Sequence, residues 1–367
     1  NIVSGEKTST IFGKIKKWFA DLKAHAFNDL ATALGTETDK APTNKLLNDT
    51  AALKAPLANP TFTGTVTVPT PVNDTDAVAK SYVDGLIAYD KIICTSAELV
   101  ALINANWSGV TSVALVGPLS LSAQNGIKIP ATVKQIHGFN GAKITITDFV
   151  YHAANAKGGL WYDALPTSNE YEIRNLEVSC VAGNISGFTN CTNLTNCTVT
   201  VTGIGTYGAG HGFLTCTNVM NCTSTATGNV SGYGFSNCTN VMNCTGTGIG
   251  QYGYGFGDCT NLTNCTGTGT GTENDGDGFN NCTNVMNCTG TGTGDDGRGF
   301  YNCYFITNCT GKGTGTETGS IGYGFYNINY ASNCRDDDSS TNMWGGINKN
   351  IDLDTCRKTP VEVTSGE

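Results

Sequence analysis

Seven times between residues 187 and 334 the chain repeats one unit, Gly-Phe-x-x-Cys-Thr-Asn-Val/Leu-x-Asn-Cys. The copies begin at Gly187, Gly212, Gly234, Gly255, Gly278, Gly299 and Gly324, at intervals of 25, 22, 21, 23, 21 and 25 residues. A period of that length is one turn of a solenoid, either a β-helix or a leucine-rich repeat. The second needs several leucines and usually a helical segment per unit. These units have neither and are filled with Gly and Thr. Coiled β-strands follow, two or three short ones per unit, each turn stacked ~4.8 Å from the next. The fold class is therefore all-β: a parallel β-helix of about nine coils of 21–25 residues over 180–356, behind an N-terminal region of helix and short strands.

Stacking gives each repeated position a role. Phe188, Phe213, Phe235, Phe256, Phe279, Phe300 and Phe325 form an interior aromatic column, and Leu194, Val219, Val241, Leu262, Val285 and Ile306 an aliphatic one. The residue before the second cysteine is always Asn: 196, 221, 243, 264, 287, 308 and 333. Asn tolerates the left-handed conformation and bonds to nearby backbone, so stacked copies predict a turn ladder. Phe305 stands where other units have Asn, and Ile328 replaces the first cysteine of the seventh unit, so the last turns depart from the pattern. Degenerate units end at Cys180 and run from Gly346 to Cys356.

The cysteines form the pairs Cys191/Cys197, Cys216/Cys222, Cys238/Cys244, Cys259/Cys265, Cys282/Cys288 and Cys303/Cys309. Two readings stand: buried free-thiol columns, since Cys is among the most buried residue types, or a disulfide within each turn. Zinc is not expected, because no His accompanies the pairs and five residues separate the two cysteines. No metal or other cofactor is expected.

Composition supports thin repetitive structure. Hydrophobic residues make up 39% of the 367, charged residues 14%, and there are 47 glycines, too lean a mixture for one large apolar core. A net charge of −9 opposes binding to a phosphate backbone, so no nucleic-acid partner is expected. No run of 18 apolar residues exists, so no membrane insertion is expected either. The chain begins at Asn1 and carries no signal-peptide pattern, and is expected to be a fragment or processed form of a longer protein.

Before the repeats, residues 11–34 show helical spacing of Ile11, Ile15, Trp18, Phe19, Leu22 and Leu30, and a polar stretch at 36–60 reads as a linker. Residues 56–87, PLANPTFTGTVTVPTPVNDTDAVAKSYVDGLI, combine a short strand with a second helix over 76–88. This stretch resembles a module of phage tail-fibre and collar proteins. Pro60, Phe62, Thr63, Gly64, Val68, Pro69, Thr70, Pro71, Asp76, Ala77, Lys80, Tyr82, Val83 and Asp84 match the family form, and Val78-Ala79 departs from the common Ala-Thr. Residues 4–30 are similar to segments of structural proteins of phages and prophages from Gram-positive gut bacteria. Residues 90–170, with a capping helix in TSAELVALINANW and strand-rich segments after it, resemble the start of the pectin-lyase-like β-helices of phage tailspikes.

The resemblance implies four segments: 1–89 for virion attachment and trimerisation, 90–179 for the opening and cap of the β-helix, 180–356 for the repeat solenoid, and 357–367 for a tail. It implies a receptor-binding tail fibre or spike subunit of a bacteriophage or phage-tail-like particle. Such a subunit forms a homotrimer, joins other tail or baseplate proteins through its N-terminal region, and attaches to host surface polysaccharide. It is assembled in the host cytoplasm and exposed outside on the virion. Assembly in a reducing cytosol favours the free-thiol reading of the cysteines.

The segments between Thr-Gly strands and the next Gly-Phe vary in length and chemistry, which is where a solenoid places its loops. They supply the glycan-binding candidates Tyr207, Tyr233, Tyr252, Tyr254, Asp275, Asp277, Asp295, Asp296, Arg298 and Tyr323. Tyr and carboxylate on one ridge suit sugar rings, against the plain alternative of solvated loops. Asp275, Asp277, Asp295 and Asp296 also leave open a depolymerase, whose two carboxylates need to lie about 5–10 Å apart, or a calcium site. No catalytic residue is assigned. A bacterial β-helix adhesin and ice binding through the Thr-Gly tracts complete the alternatives.

Overall fold

The computed structural model describes residues 89–358 apart from 124–125, 148–157, 205, 207, 316–321, 338–343, 346–348 and 352–355, together with Lys17. The expected helices of residues 11–34 and 76–88, the linker and the module at 56–87 lie outside the described residues. The chain divides between Tyr89 and Asp90 into two compact units, and the second is described below by itself.

That unit is a parallel β-solenoid. One of its sheets has ten strands, each from a different turn and each paired with its counterpart in the next, giving ten turns. Left-handed residues recur three times per turn. The Asn before the second cysteine has φ between 49° and 55° in all seven units, as its ladder role requires. The residue before the first cysteine does the same (Asn190, Thr215, Asn237, Asp258, Asn281, Asn302, Asn327), as does the Asn after the Cys-Thr pair (Asn193, Asn218, Asn240, Asn261, Asn284). Side-chain amides bridge successive turns: Asn240 donates to Asn218 at 3.0 Å, Asn261 to Asn240 at 2.9 Å and Asn264 to Asn243 at 3.1 Å.

The bends before the two cysteines, together with the loop that follows each threonine strand, leave three faces; the third left-handed residue lies within the strand between the cysteines. The asparagine face carries strands such as Thr217–Met220, Thr239–Met242 and Tyr304–Thr307. The threonine face follows, with Thr223–Thr227, Thr245–Gly250, Thr266–Gly271 and Thr289–Gly294. The tyrosine face closes the turn, with Ala209–Leu214, Ser231–Ser236, Tyr252–Gly257, Gly276–Asn280, Arg298–Tyr301 and Tyr323–Tyr326. The strands pair in parallel, Phe against Phe and Thr against Thr.

Inside, the seven phenylalanines are fully buried. From Phe213 to Phe300 their rings stack at 4.7–4.8 Å with interplanar angles of 5–9°. Ordinary neighbouring strands rotate by ~20–25°, so the turns here lie almost directly above one another. Fourteen of the 16 cysteines are buried and all are free thiols; those of the repeats form two separate columns. Each repeat thiol lies near a carbonyl two residues back, as Cys222 does to Met220 at 3.2 Å. Burial pushes the Cys180 thiol up to about 12 and those of Cys216, Cys259 and Cys303 well above the ordinary range. Against burial, hydrogen bonds from neighbouring thiols hold Cys238 and Cys282 below the ordinary range; the columns are packing elements because they are buried.

The core tapers along the axis. On the threonine face one inward column runs Ile144, Val178, Val199, Ser224, Gly246, Gly267, Gly290, Gly311. Its neighbour runs Ile146, Cys180, Val201, Ala226, Gly248, Gly269, Gly292, Gly313. Where the glycines begin, the threonine and tyrosine faces meet main chain to main chain. A Cβ at Gly248 would lie 2.1 Å from the Tyr254 carbonyl and 2.2 Å from that of Gly232.

Two sequence boundaries shift. Thr198 pairs with Glu177, so Leu176, not Cys180, ends the first degenerate unit, and Asn196 donates to Asn175 at the matching corner. Cys180 falls instead on the threonine face. At the other end Cys356 matches Cys334, but Trp344 pairs with Phe325, so the unit starts before Gly346. The opening turns are covered by a helix, Ser96–Asn104, which buries Leu99 and Leu102 and begins in a capping box between Thr95 and Glu98. It shields strand edges that would otherwise invite pairing with another chain.

Two substitutions test this packing by denaturant unfolding. Gly248→Ala is expected to cost about 3 kcal/mol, because main chain on both sides blocks the methyl group. Ser224 Oγ is buried without a partner where the taper turns to glycine, so Ser224→Ala is expected to stabilise by about 1 kcal/mol. A neutral Gly248→Ala variant would contradict the backbone contact.

Candidate functional site

On the tyrosine face the residue two before each phenylalanine points outward. In register these residues form the column Ser186, His211, Tyr233, Tyr254, Asp277, Arg298, Tyr323. Five of the ten residues singled out from sequence thus share one line. A strand permits this because Gly flanks each position and the Phe beyond it anchors the turn.

The column has two halves. His211 stacks on Tyr233 at 4.8 Å and 5°, and Tyr233 lies 4.8 Å from Tyr254. Burial pushes the His211 imidazole down to about 4, so it is neutral at pH 7. Burial and then the Asp277 carboxylate push the Tyr254 phenol up. Because these rings cover one another, they offer edges outward, not faces.

The other half is an ion-pair cage. Arg298 Nε donates to Asp277 Oδ1 at 2.9 Å, and its NH2 meets Asp275. Asn280 donates to the other Asp277 oxygen at 2.6 Å. The guanidinium lies over the Tyr301 ring at 4.0 Å and near that of Tyr326 at 5.5 Å. The Asp277 side chain is 0% exposed and that of Arg298 7%. Both are therefore consumed by the fold, and neither presents its charge to a large ligand. Burial raises the Asp277 carboxyl to about 6 against the pull of Arg298.

What faces solvent lies one strand position earlier. Tyr252 is exposed (37%). Its neighbour one turn up is Asp275, whose carbonyl accepts from the Gly253 amide at 3.3 Å, and whose side chain is 34% exposed. Gln251 donates to Glu273 at 2.8 Å beside them. Asp295 joins the next turn through its amide to the Asn274 carbonyl at 3.2 Å, with Asp296 exposed at the loop tip. The structure therefore brings Tyr252, Asp275, Asp295 and Asp296 to one ridge. Tyr323 sits two turns beyond Asp277, half-buried and edge-on to Tyr326 at 5.0 Å. Tyr207 lies outside the described residues.

Among the described residues no three His, Cys, Asp or Glu side chains converge where a metal ion would sit, and no helix is long and apolar enough to cross a membrane. Two concavities lie at the cap, one bordered by Asp90, Glu98 and Leu102, the other by Trp107, Pro130 and Thr132. Sequence reasoning missed His211 as a member of the column and Tyr301 and Tyr326 as the walls of the arginine cage. The signal was available, since the residue two before each repeat Phe forms a series once the turns are aligned.

No family model matches the chain, and no curated protein does. Two solved structures are similar. ORF18 of Geobacillus virus E2 is 12% identical over 74% of this chain and 62% of that one, with a TM-score of 0.25. Tailspike protein 3 of bacteriophage CBA120 is 14% identical over 69% and 58%, with a TM-score of 0.22. The chain spans about three-fifths of the length of each. At that overlap neither likeness bears on what this chain does.

The cage predicts a pH dependence. A carboxyl raised from 3.8 to about 6 by folding holds its proton more tightly in the folded state. Its contribution to stability is full below the unfolded value and is lost as pH rises through about 6. Relative to Asp277→Asn, the wild-type melting temperature is expected to fall between about pH 4 and 6 and to level off above. An identical pH profile in the two proteins would refute the assignment.

Proposed function

We propose that this chain is a receptor-binding tail fibre or spike subunit of a bacteriophage or phage-tail-like particle, and that it attaches to a host surface glycan along the ridge around Tyr252 and Asp275. The observation that carries the glycan reading is Tyr252: an exposed ring with no stacking partner among the described residues, one turn from the Asp275 carboxylate, which is about one-third exposed beside Arg298. Sugar rings stack on such faces, and their hydroxyls donate to carboxylates. Everything else on the solenoid is fixed by its copies above and below, whereas the ridge is free to vary. The resemblance of residues 56–87 to the tail-fibre module supports placement on a virion. A homotrimer held to other tail proteins by the N-terminal region raises weak single contacts to useful avidity.

A depolymerase is the weaker reading. Asp277, one of the four carboxylates that suggested it, is closed into the arginine cage and sees no solvent.

Replacing Tyr252 and Asp275 with Ala is expected to reduce adsorption of the protein to host cells severalfold and leave thermal unfolding cooperative. Replacing Tyr254, half-buried in the ring stack, is expected to lower stability more than adsorption. Unchanged adsorption in the Tyr252/Asp275 variant would move recognition away from the ridge. Release of reducing sugar ends from host polysaccharide would establish the depolymerase instead.

A further inference from the structure

The asparagine face is the unusual surface of this molecule. Its seven strands from Thr192–Thr195 to Asn329–Ser332 carry no charged residue. The strands before and after them, Glu172–Arg174 and Lys349–Ile351, are charged. Among the described residues, ten large hydrophobic side chains are exposed, and six of them lie on this face: Met220, Met242, Met286, Tyr304, Phe305 and Tyr330. Three of the chain's four methionines are in that set.

Two of the six are held under strain. Phe305 (φ 53°) and Tyr330 (φ 66°) occupy the left-handed position that five earlier units give to Asn. A bulky side chain there costs of order 1–3 kcal/mol and persists where something other than local stability retains it. They are also 52% and 44% exposed, so the interior of the fold does not hold them in place. A surface that is uncharged over seven turns, with six exposed hydrophobic side chains beside its Asn ladder and two of them strained, is made for contact.

We infer that the asparagine face is the surface through which one copy of this solenoid lies against another. Two observations select a second copy as the occupant, and a third limits what the contact can do. First, the Phe305 and Tyr330 rings stack on each other at 4.8 Å and 12°, so they offer edges, as an aromatic–methionine protein interface uses, and not the free face a sugar ring needs. Second, the chain carries a net charge of −9, and copies of an acidic protein approach each other most easily where neither bears charge. On the tyrosine face Glu273, Asp275, Asp295 and Asp296 would oppose one another. Third, the face measures about 400 Å² from seven turns of four residues. A standard interface buries roughly 800 Å² per partner, so this face acts beside another contact and does not hold the copies alone.

The test is the solvent access of Met220, Met242 and Met286 in the full chain, read by hydrogen peroxide oxidation and mass spectrometry, with light scattering to report mass. In concentrated protein these residues are expected to oxidise severalfold more slowly than in protein diluted to the monomer. Met242→Glu with Met286→Glu is expected to abolish the protection of Met220, or to lower the mass. Thr225→Glu, on the threonine face, is expected to do neither. The wild-type measurement stands even if the double variant fails to fold. Equal oxidation rates in assembled and dilute protein, or a monomer at every concentration, would overturn the inference. So would protection that appears only when host glycan or a second protein is added. Neither result depends on whether the ridge binds glycan.

Discussion

Each turn of this chain is tied to the next by main-chain hydrogen bonds between parallel strands, and that bond fixes almost everything else. A residue at any position is pressed against its counterpart one turn away, so the only side chains that persist are those content beside copies of themselves. Phe stacks on Phe, worth about 0.5–1.5 kcal/mol per pair beyond burial. Asn donates its amide to the Asn one turn before it while holding the left-handed conformation. Cys fills the inner angle, small and apolar. Thr offers a branched side chain on the outer face, which suits a strand.

The same constraint explains where the pattern breaks. Like charges stacked one turn apart repel, and on the tyrosine face acids enter the column only where Arg298 can sit between Asp275 and Asp277. That cage replaces a stack of identical rings with an ion pair walled by Tyr301. It is the one place in the column where neighbouring turns differ by design of charge. The ridge beside it, with Tyr252 and Asp296 exposed, Asp295 partly exposed and Asp275 shared with the cage, is where chemistry can change with least disturbance to the stack.

Much of this was legible in the sequence. The period and the placement of Phe, Asn and Cys defined the solenoid, its columns and its corners, because each of those residues has one physical use at such a spacing. The taper was not legible. That Val199 and Val201 give way to Ser224 and Ala226 and then to Gly246 and Gly248 is visible in the letters, but not that these positions face inward against another strand. The unit boundary at Cys180 was misjudged for a related reason: Leu176 does the work of a repeat cysteine, and a cysteine two strand positions later imitates it. At the candidate site, stacking brings five of the chosen residues into one column, but the sequence could not tell Asp277 and Arg298, which neutralise each other inside, from Tyr252, which stays exposed, and Asp275, which reaches the same arginine from the surface. Burial of a charge is decided by its partner's reach, and that is a property of the folded turn.

The central claim is that stability comes from in-register contact between whole turns. Deletion of residues 234–254 tests it most directly, since it removes one complete turn and joins Tyr233 to Gly255, restoring the Tyr-Gly-Phe sequence at the splice. Thermal unfolding should stay cooperative, with a midpoint close to that of the full chain. Deletion of residues 234–244 removes about half a turn and joins Tyr233 to Thr245, setting every later column out of register. That protein should not fold past the splice. Equal damage from the two deletions, or a half-turn deletion that melts like the full chain, would contradict the account.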